Sequence, residues 1–405
     1  MHDAKIRLFW LLLSGGVLSL CALWLLQSIS GYLIFRARRR KSWREAHALP
    51  AISVLKPLKG VDADLHTNLK AFMLQDYPVF ELIVGVEEAD DPAVSVVRDL
   101  IRDYPDAPLR LLIGAGTTGM NPKVNNLANL SLRARYDHFL ISDADVRPEP
   151  GYLRTLAADL GDGVDLVHSL LVGRGERALG AVFESLHMNS FVAATVCGAD
   201  VVRHACVIGK SMLFSREHLR KIGGFRSVEN VLAEDYVLGQ KFQKAGLRVR
   251  LSLQALSVVN PERDLRSFIN RQLRWAQMRR RMNLRAYLAE GLGNPNVWLA
   301  LCLAWVGLTT PAGLNLTTCV ASVLAMMVAK CLVDVGLGRL LQGDFALARH
   351  FYWIPLKDML ISVIWCVGLF RRKVNWRGNV RWIGAESRLF LRSDTQQPVT
   401  GTVSA

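Results

Sequence analysis

The stretch HFLISDADVRPEP, residues 138–150, ends an apolar run in two aspartates one residue apart. Phe139, Leu140 and Ile141 read as a buried strand, and charge at the tip of such a strand is costly unless it is matched. Hard divalent cations such as Mg²⁺ or Mn²⁺ match it, taking one or two carboxylates and filling their other positions with water and phosphate oxygens. Asp143 and Asp145 would project to the same side of a strand, so D-x-D at a strand end suits a metal–diphosphate clamp. Turns and helix caps use the same residue types, and the motif alone does not separate these readings.

Three further stretches add weight. VGVEEADDP places Asp90 and Asp91 at a second strand end, and NVLAEDYVLGQKF places Glu234 and Asp235 after the glycine-containing GGF. RQLRW places Arg271, Arg274 and Trp275 on one helix face at i, i+3 and i+4. Each has an ordinary structural use: a cap for Asp91, a helix start for Asp235, membrane snorkelling for the arginines. Their order along one chain is far more specific than any one of them.

The elements that must position these residues follow from the apolar pattern. AISVLKPL stops at Pro57, and FELIVGVEEADDP, LRLLIGAG, HFLISDADV and VDLVHSLLV read as further strands. Helical stretches at 63–75 and 92–103 lie between them. Strands alternating with helices over residues 50–260 predict an α/β domain with a mainly parallel sheet covered on both faces. Polar ligands of such sheets bind at the carboxyl ends of the strands, where the aspartates fall.

The chain has 405 residues, of which 51% are hydrophobic, so membrane segments are expected. Residues 8–35 are almost wholly uncharged, longer than the roughly 20 residues that span hydrocarbon. The basic cluster Arg36, Arg38, Arg39, Arg40, Lys41 and Arg44 follows this run rather than preceding it, which predicts a retained anchor whose C-terminal side is cytosolic. Residues 262–290 carry seven arginines between Arg266 and Arg285, interleaved with Phe268, Ile269, Leu273, Trp275, Met278 and Met282. This predicts a basic amphipathic helix on a membrane surface, with a solvated basic face as the alternative. Residues 297–335 suit a helical hairpin broken near Pro311-Ala312-Gly313, and 353–370 suit another membrane segment. Three crossings there would leave the basic residues Arg371, Arg372, Lys373, Arg377 and Arg381 on the same side as residue 2. That opposes the positive-inside bias and points to one re-entrant or interfacial segment. Residues 393–405 read as a flexible tail.

The formal net charge is +15. Because the basic residues flank apolar stretches, they favour an anionic membrane surface over nucleic acid. Seven cysteines without a C-x-x-C suggest neither a disulfide framework nor a zinc site.

The stretches SVLKPLKGVDADLHTNLKAFMLQDYP, ADDPAV, GMNPKVNNL, SDADV, GKSMLF, AEDYVLG and RQLRW together resemble the ceramide glucosyltransferase family, and more broadly the inverting family-2-like glycosyltransferases of the GT-A fold. The resemblance runs from about Ser53 to Met282. The bacterial hopanoid-associated glycosyltransferases share the architecture. By this resemblance Asp91 is the first aspartate, on the uracil side of UDP, and Lys123 is a lysine at the nucleotide site. Asp143 is the second aspartate, Asp145 completes the D-x-D, and both would hold a divalent cation. Asp235 is the general base, and Arg271, Arg274 and Trp275 form the R-x-x-R-W signature near diphosphate and acceptor. Two departures stand out. The animal enzymes often have a degenerate position where this chain keeps Asp145, and a histidine expected from them falls at Val192.

The resemblance implies an integral membrane enzyme facing the cytosol, on the inner membrane if the source is bacterial, with Mg²⁺ or Mn²⁺ as cofactor. It would move one hexose, glucose foremost, from a UDP-sugar donor to the primary hydroxyl of a membrane lipid acceptor, ceramide foremost, with the bilayer as partner and no nucleic acid. A hopanoid polyol or diacylglycerol is the alternative acceptor, and galactose, glucuronic acid or N-acetylglucosamine the alternative sugar. A processive polysaccharide synthase would bring more membrane helices and a Gln in place of Arg271. A non-enzymatic basic scaffold would explain the charge but not acidic residues at strand ends.

Overall fold

The computed structural model describes residues 2–40, 49–114, 116, 118–161, 163–309, 316–342, 346–376 and 379–390. Lys41, Arg44, Pro311-Ala312-Gly313, Arg377 and the 393–405 tail lie outside the described residues, as do the side chains of Arg38, Arg39 and Arg40.

Near-continuous runs of Val, Ile and Leu bury both faces of a strand, as strands of a covered parallel sheet require. They form β1 (Ile52–Leu58), β2 (Phe80–Val86), β3 (Leu109–Ile113), β4 (His138–Ser142), β5 (Val146–Arg147), β6 (Leu166–Arg174), β7 (Ser211–Ser215) and β8 (Val249–Val259). One sheet joins them in the order β3-β2-β1-β4-β7-β6-β8-β5. The pairs β1–β2, β2–β3, β1–β4 and β6–β8 are parallel, while β7 runs antiparallel between β4 and β6. The chain moves outward from β1 through β2 to β3 and then returns to place β4 on the other side of β1. That reversal opens a crevice at the carboxyl ends of β1 and β4. Pro57 does not stop β1, which runs on to Leu58 with Pro57 opposite Gly85. β4 accompanies β1 only as far as Leu55, so the missing N–H falls where one edge is already open.

Helices cover the sheet: α2 (Leu65–Met73), α3 (Ala93–Asp103), α4 (Pro122–Arg133), α5 (Tyr152–Leu160), α6 (Leu179–His187), α7 (Ala193–Val201), α8 (Arg216–Lys221) and α9 (Glu234–Lys244). A π-helical turn, Met188–Val192, joins α6 to α7. Leu69, Phe72, Val97 and Leu156 fill one face of the sheet, and Leu127, Phe214, Leu238 and Phe242 fill the other.

The basic stretch is two helices, α10 (Leu265–Met282) and α11 (Leu284–Leu292), parted at Asn283. Its apolar stripe is largely covered by protein. Phe268 packs with Phe183 and Ile354, while Leu273 and Ala276 pack with Tyr287 and Ile364. Packed this way, α10 turns Arg271 and Arg274 toward the crevice.

The remaining apolar helices are α1 (His2–Arg40), α12 (Pro295–Thr309), α13 (Leu316–Gln342) and α14 (Ile354–Phe370). Ala4–Ile34, Leu316–Leu341 and Ala348–Phe370 are long and apolar enough to cross a membrane, and α11 with α12 forms a pair bent by 56°. Trp10, Leu18, Trp24, Leu324, Val328, Leu332 and Val363 lie exposed on these helices, an apolar surface that water does not favour and lipid does. Inside, Lys330 lies 2.9 Å from Asp358, Lys357 lies 2.5 Å from Asp358, and Lys330 also pairs with Asp334. Gln27 of α1 donates to Asp334 at 3.1 Å. These pairings satisfy charges that hydrocarbon would penalise heavily.

After α14 comes a three-stranded antiparallel ribbon of β9 (Lys373–Trp376), β10 (Asn379–Ile383) and β11 (Leu389–Phe390). The sequence reading treated this part of the chain only as a basic segment. The ribbon docks on loops of the eight-stranded sheet: Leu232 N–H donates to Ser387 O at 2.9 Å, and Leu389 N–H to Asn230 O at 2.8 Å.

Candidate active site

The carboxyl ends of β1 and β4, the loop after β2, the N-terminus of α4, the turn before β7, the start of α9 and one face of α10 surround a cavity of about 340 Å³. Asp143, Asp145, Lys123, Asp235, Arg271, Arg274 and Trp275 all line it. Asp91 does not. Its carboxylate accepts from Gly60 N–H at 3.0 and 2.9 Å and from Ala93 N–H at 2.8 Å, so it braces the loop after β1 against the start of α3. Asp62 and Glu87 are the acidic residues that line the cavity on that side.

The aspartates do not sit on a strand. β4 ends at Ser142 and β5 begins at Val146, so Asp143 and Asp145 belong to the turn between them, and strand alternation does not set their direction. Cross-strand register sets their partners. Ser142 lies opposite Ser211 in the antiparallel β4–β7 pair, which places Lys210, one residue before β7, against Asp143. Lys210 Nζ reaches Asp143 Oδ2 at 3.6 Å and also pairs with Asp145 Oδ1. The other Asp145 oxygen accepts from Asn260 at 2.8 Å and lies 3.8 Å from Arg271. Lys123 Nζ reaches Asp143 Oδ1 and Glu234 Oε1, both at 2.9 Å.

Burial disfavours the charge on both aspartates, but Lys123 and Lys210 outweigh it at Asp143, and Lys210 with Arg271 at Asp145, so both carboxyls titrate below the usual range. Burial likewise opposes the Lys123 charge, and Asp143, Glu234 and Asp235 overcome it, raising its pKa. Glu234 titrates above the usual carboxylate range because its burial exceeds the help from Lys123. Beneath the turn lies Lys56, fully buried, its ammonium donating to Ser142 Oγ at 3.1 Å and Asp143 O at 2.5 Å and sitting 4.0 Å from the Phe72 ring centroid. Burial pushes its pKa down to about 7 against the pull of Asp143 and Asp145. Ammonium and guanidinium groups therefore match the charge at the tip of β4.

The local chain explains these placements. Asn121 caps α4, its side-chain oxygen accepting from Lys123 N–H at 3.0 Å and Val124 N–H at 3.2 Å, with Pro122 at the first helical position. Its amide donates to Val231 O at 2.6 Å, which ties Lys123 to the segment leading into α9. Asp235, in the first turn of α9, accepts from Gly209 N–H at 2.5 Å and from Tyr236 N–H at 2.8 Å. On α10, Arg271 lies 3.3 Å from Glu184 and 4.9 Å from the Trp275 ring centroid. Burial lowers its pKa, and Glu184, Asp145 and Asp143 more than compensate. Lys210, Lys56, Asn260 and Glu184 went unread in the sequence.

The donor set fits a Mg²⁺-like ion in part. Among the described residues no three His, Cys, Asp or Glu side chains gather around one point. An ion that draws most of its ligands from water and phosphate does not need them. Both carboxylates already meet cations, but Asp143 is 29% exposed toward the cavity, against 9% for Asp145. Asp143 is thus the better-placed ligand.

A crevice of acidic and basic side chains thus lies at the switch point of the sheet, beside membrane-type helices. The sequence profile of glycosyl transferase family 21 matches residues 11–389, and the chain belongs to that family. It is 27% identical over 251 residues to ceramide glucosyltransferase 3 of Caenorhabditis elegans, covering 62% of this chain and 55% of that one. It is 28% identical over 274 residues to ceramide glucosyltransferase 1 of the same organism, covering 67% and 58%. The chain thus spans little more than half the length of these relatives. Among solved structures, it is similar to a mannosyltransferase of Pyrobaculum calidifontis in complex with GDP-Man and Mn²⁺, with a TM-score of 0.49 and 19% identity, covering 88% of this chain and 98% of that one.

Proposed function

We propose that the protein transfers one hexose, glucose foremost, from a UDP-sugar to the primary hydroxyl of a membrane lipid, ceramide foremost, with inversion. The observation that carries this reading is the cavity lining: basic Lys123, Lys210, Arg271 and Arg274 share one space with Asp235, whose carboxylate is held by backbone N–H groups. Cationic side chains suit a diphosphate leaving group. A carboxylate aimed into the same space suits removal of the proton from an attacking hydroxyl. One displacement on an α-linked donor then gives a β-glycoside. Trp275 and Arg271 would flank the sugar and diphosphate. Asp91 would act on the nucleotide through the loop it braces. The names of the relatives support glucose and ceramide.

A Mg²⁺ or Mn²⁺ ion would be held by Asp143, with Asp145 beside it, and when bound it would offset the charge building on the departing diphosphate. The membrane parts serve the acceptor. Residues 8–35 anchor the chain, 50–260 form the catalytic domain, 262–290 hold the R-x-x-R-W arginines at the interface, and 297–335 and 353–370 embed it. Because the ribbon after α14 packs on the catalytic domain, an even number of crossings separates them. Two crossings by α13 and α14, with α11–α12 re-entrant, satisfy this and keep the basic residues on the catalytic, cytosolic side.

The test is a transfer assay on detergent-purified protein with UDP-glucose, Mg²⁺ or Mn²⁺, and ceramide or a hopanoid polyol in separate reactions. Single glucosylation of ceramide supports the reading. Product only on the hopanoid moves the acceptor, and no product with any UDP-sugar contradicts it.

A further inference from the structure

The turn Gly209-Lys210 touches both acidic motifs. Gly209 N–H donates to Asp235 Oδ2 at 2.5 Å, and the next residue, Lys210, reaches Asp143 at 3.6 Å and pairs with Asp145. Both are buried, with Lys210 only 4% exposed. Lys210 N–H donates to Ile208 O at 2.8 Å, and the following residue is locked opposite Ser142 by the β4–β7 ladder. The turn therefore has little freedom, and whatever it holds is held relative to the tip of β4.

The two residues act by different means. A Cβ on Gly209 would lie 2.5 Å from the Asp235 Cβ, 2.8 Å from its Oδ2 and 3.0 Å from its Cγ. Rotating the Asp235 side chain cannot relieve a clash at its own Cβ, so any side chain at 209 displaces the carboxylate. Lys210 works through charge. Two carboxylates in one turn repel each other, and an ammonium in contact with both offsets that repulsion and holds them aimed.

We propose that Gly209 and Lys210 are positioning residues that fix the base, Asp235, at a set distance from the diphosphate end of the cavity. Gly209 does so by its N–H and bare Cα, and Lys210 by neutralising Asp143 and Asp145. This rests on the transferase reading above. It explains why the base and the D-x-D turn, nearly a hundred residues apart in sequence, can act on one donor and one acceptor without independent adjustment: a single turn registers both.

The experiment uses the full-length protein in detergent and reads UDP affinity by calorimetry, transfer kinetics and Tm. Gly209→Ala keeps the N–H but moves Asp235. It should lower kcat about 100-fold, the cost of a misplacement near 1 Å, while UDP affinity and Tm stay near wild type. Adding it to Asp235→Asn should cost nothing more, because the residue it positions has already lost its function. Lys210→Gln should weaken UDP binding about tenfold or more, since it leaves a buried negative charge unmatched beside the diphosphate. Adding Asp145→Asn to Lys210→Gln should recover much of that affinity by removing the unmatched charge, which a merely structural lysine would not permit. Wild-type kcat in Gly209→Ala overturns the proposal, as does unchanged UDP affinity in Lys210→Gln or a further loss in the double variant. If wild-type protein binds UDP yet transfers no sugar, the transferase reading fails, and the charge-compensation pair still decides the role of Lys210.

Discussion

At the scale of single residues, this protein buries charge wherever it can be answered by charge. Lys56, Lys123 and Lys210 surround a turn of two aspartates, and none is solvated enough to manage alone. His168 is the contrast. It is buried in β6 with its Nδ1 unpartnered, and burial lowers its pKa to about 4. The unfolded chain takes up a proton near pH 6.5 that the folded chain refuses until about 4. Stability is therefore lost as pH falls through that window, by roughly 3 kcal/mol from this residue. His168→Gln should flatten the fall in Tm between pH 6.5 and 4, and an unchanged profile would refute the assignment. Asp143 and Asp145 could be picked out of the sequence after an apolar run, Arg271 and Arg274 on one helix face and Asp235 at a helix start, while their roles came from the resemblance. Lys210 was not, because it meets Asp143 only through an antiparallel register between segments about seventy residues apart. Asp91 was visible as a residue but not in its placement, since the N–H groups of Gly60 and Ala93 that claim its carboxylate leave no local pattern.

At the scale of elements, α4 links sequence to site. Asn121 caps it, positions Lys123 and ties both to the segment before α9. Asn121→Ala should cost about 2 kcal/mol in stability from the lost cap and the Val231 carbonyl left unpaired. Because Lys123 moves with the helix end, UDP affinity should fall as well; intact affinity would show that Lys123 holds its place without the cap. Strands β1 to β4 and β6 could be read from their Val, Ile and Leu runs, whereas β7 and β8 could not. The ribbon β9–β11 was also missed, although Val374, Trp376, Val380 and Trp382 alternate in sequence on either side of Arg377-Gly378. Its arginines drew attention to the membrane surface instead. The apolar stripe of α10 does not by itself name its partner, because burial against α6 and α14 and burial in lipid leave the same helical period.

At the scale of the whole molecule, the fold sets a cavity lined by lysines, arginines and Asp235 beside helices suited to lipid. The ribbon's contacts with Leu232 and Asn230 require residues before and after α13–α14 to share one side of the membrane. Single cysteines at exposed Ser95 and Arg388 should therefore both react with an impermeant maleimide from the same face of sealed vesicles; labelling from opposite faces would break this topology. The central claim is that Asp235 deprotonates the acceptor and is not needed to hold the donor. The most direct measurement compares wild type and Asp235→Asn for UDP affinity and for single-turnover glucose transfer to the lipid. The account predicts affinity within about twofold and transfer lowered at least 100-fold, the scale of a lost general base. Near-normal transfer by Asp235→Asn would contradict it.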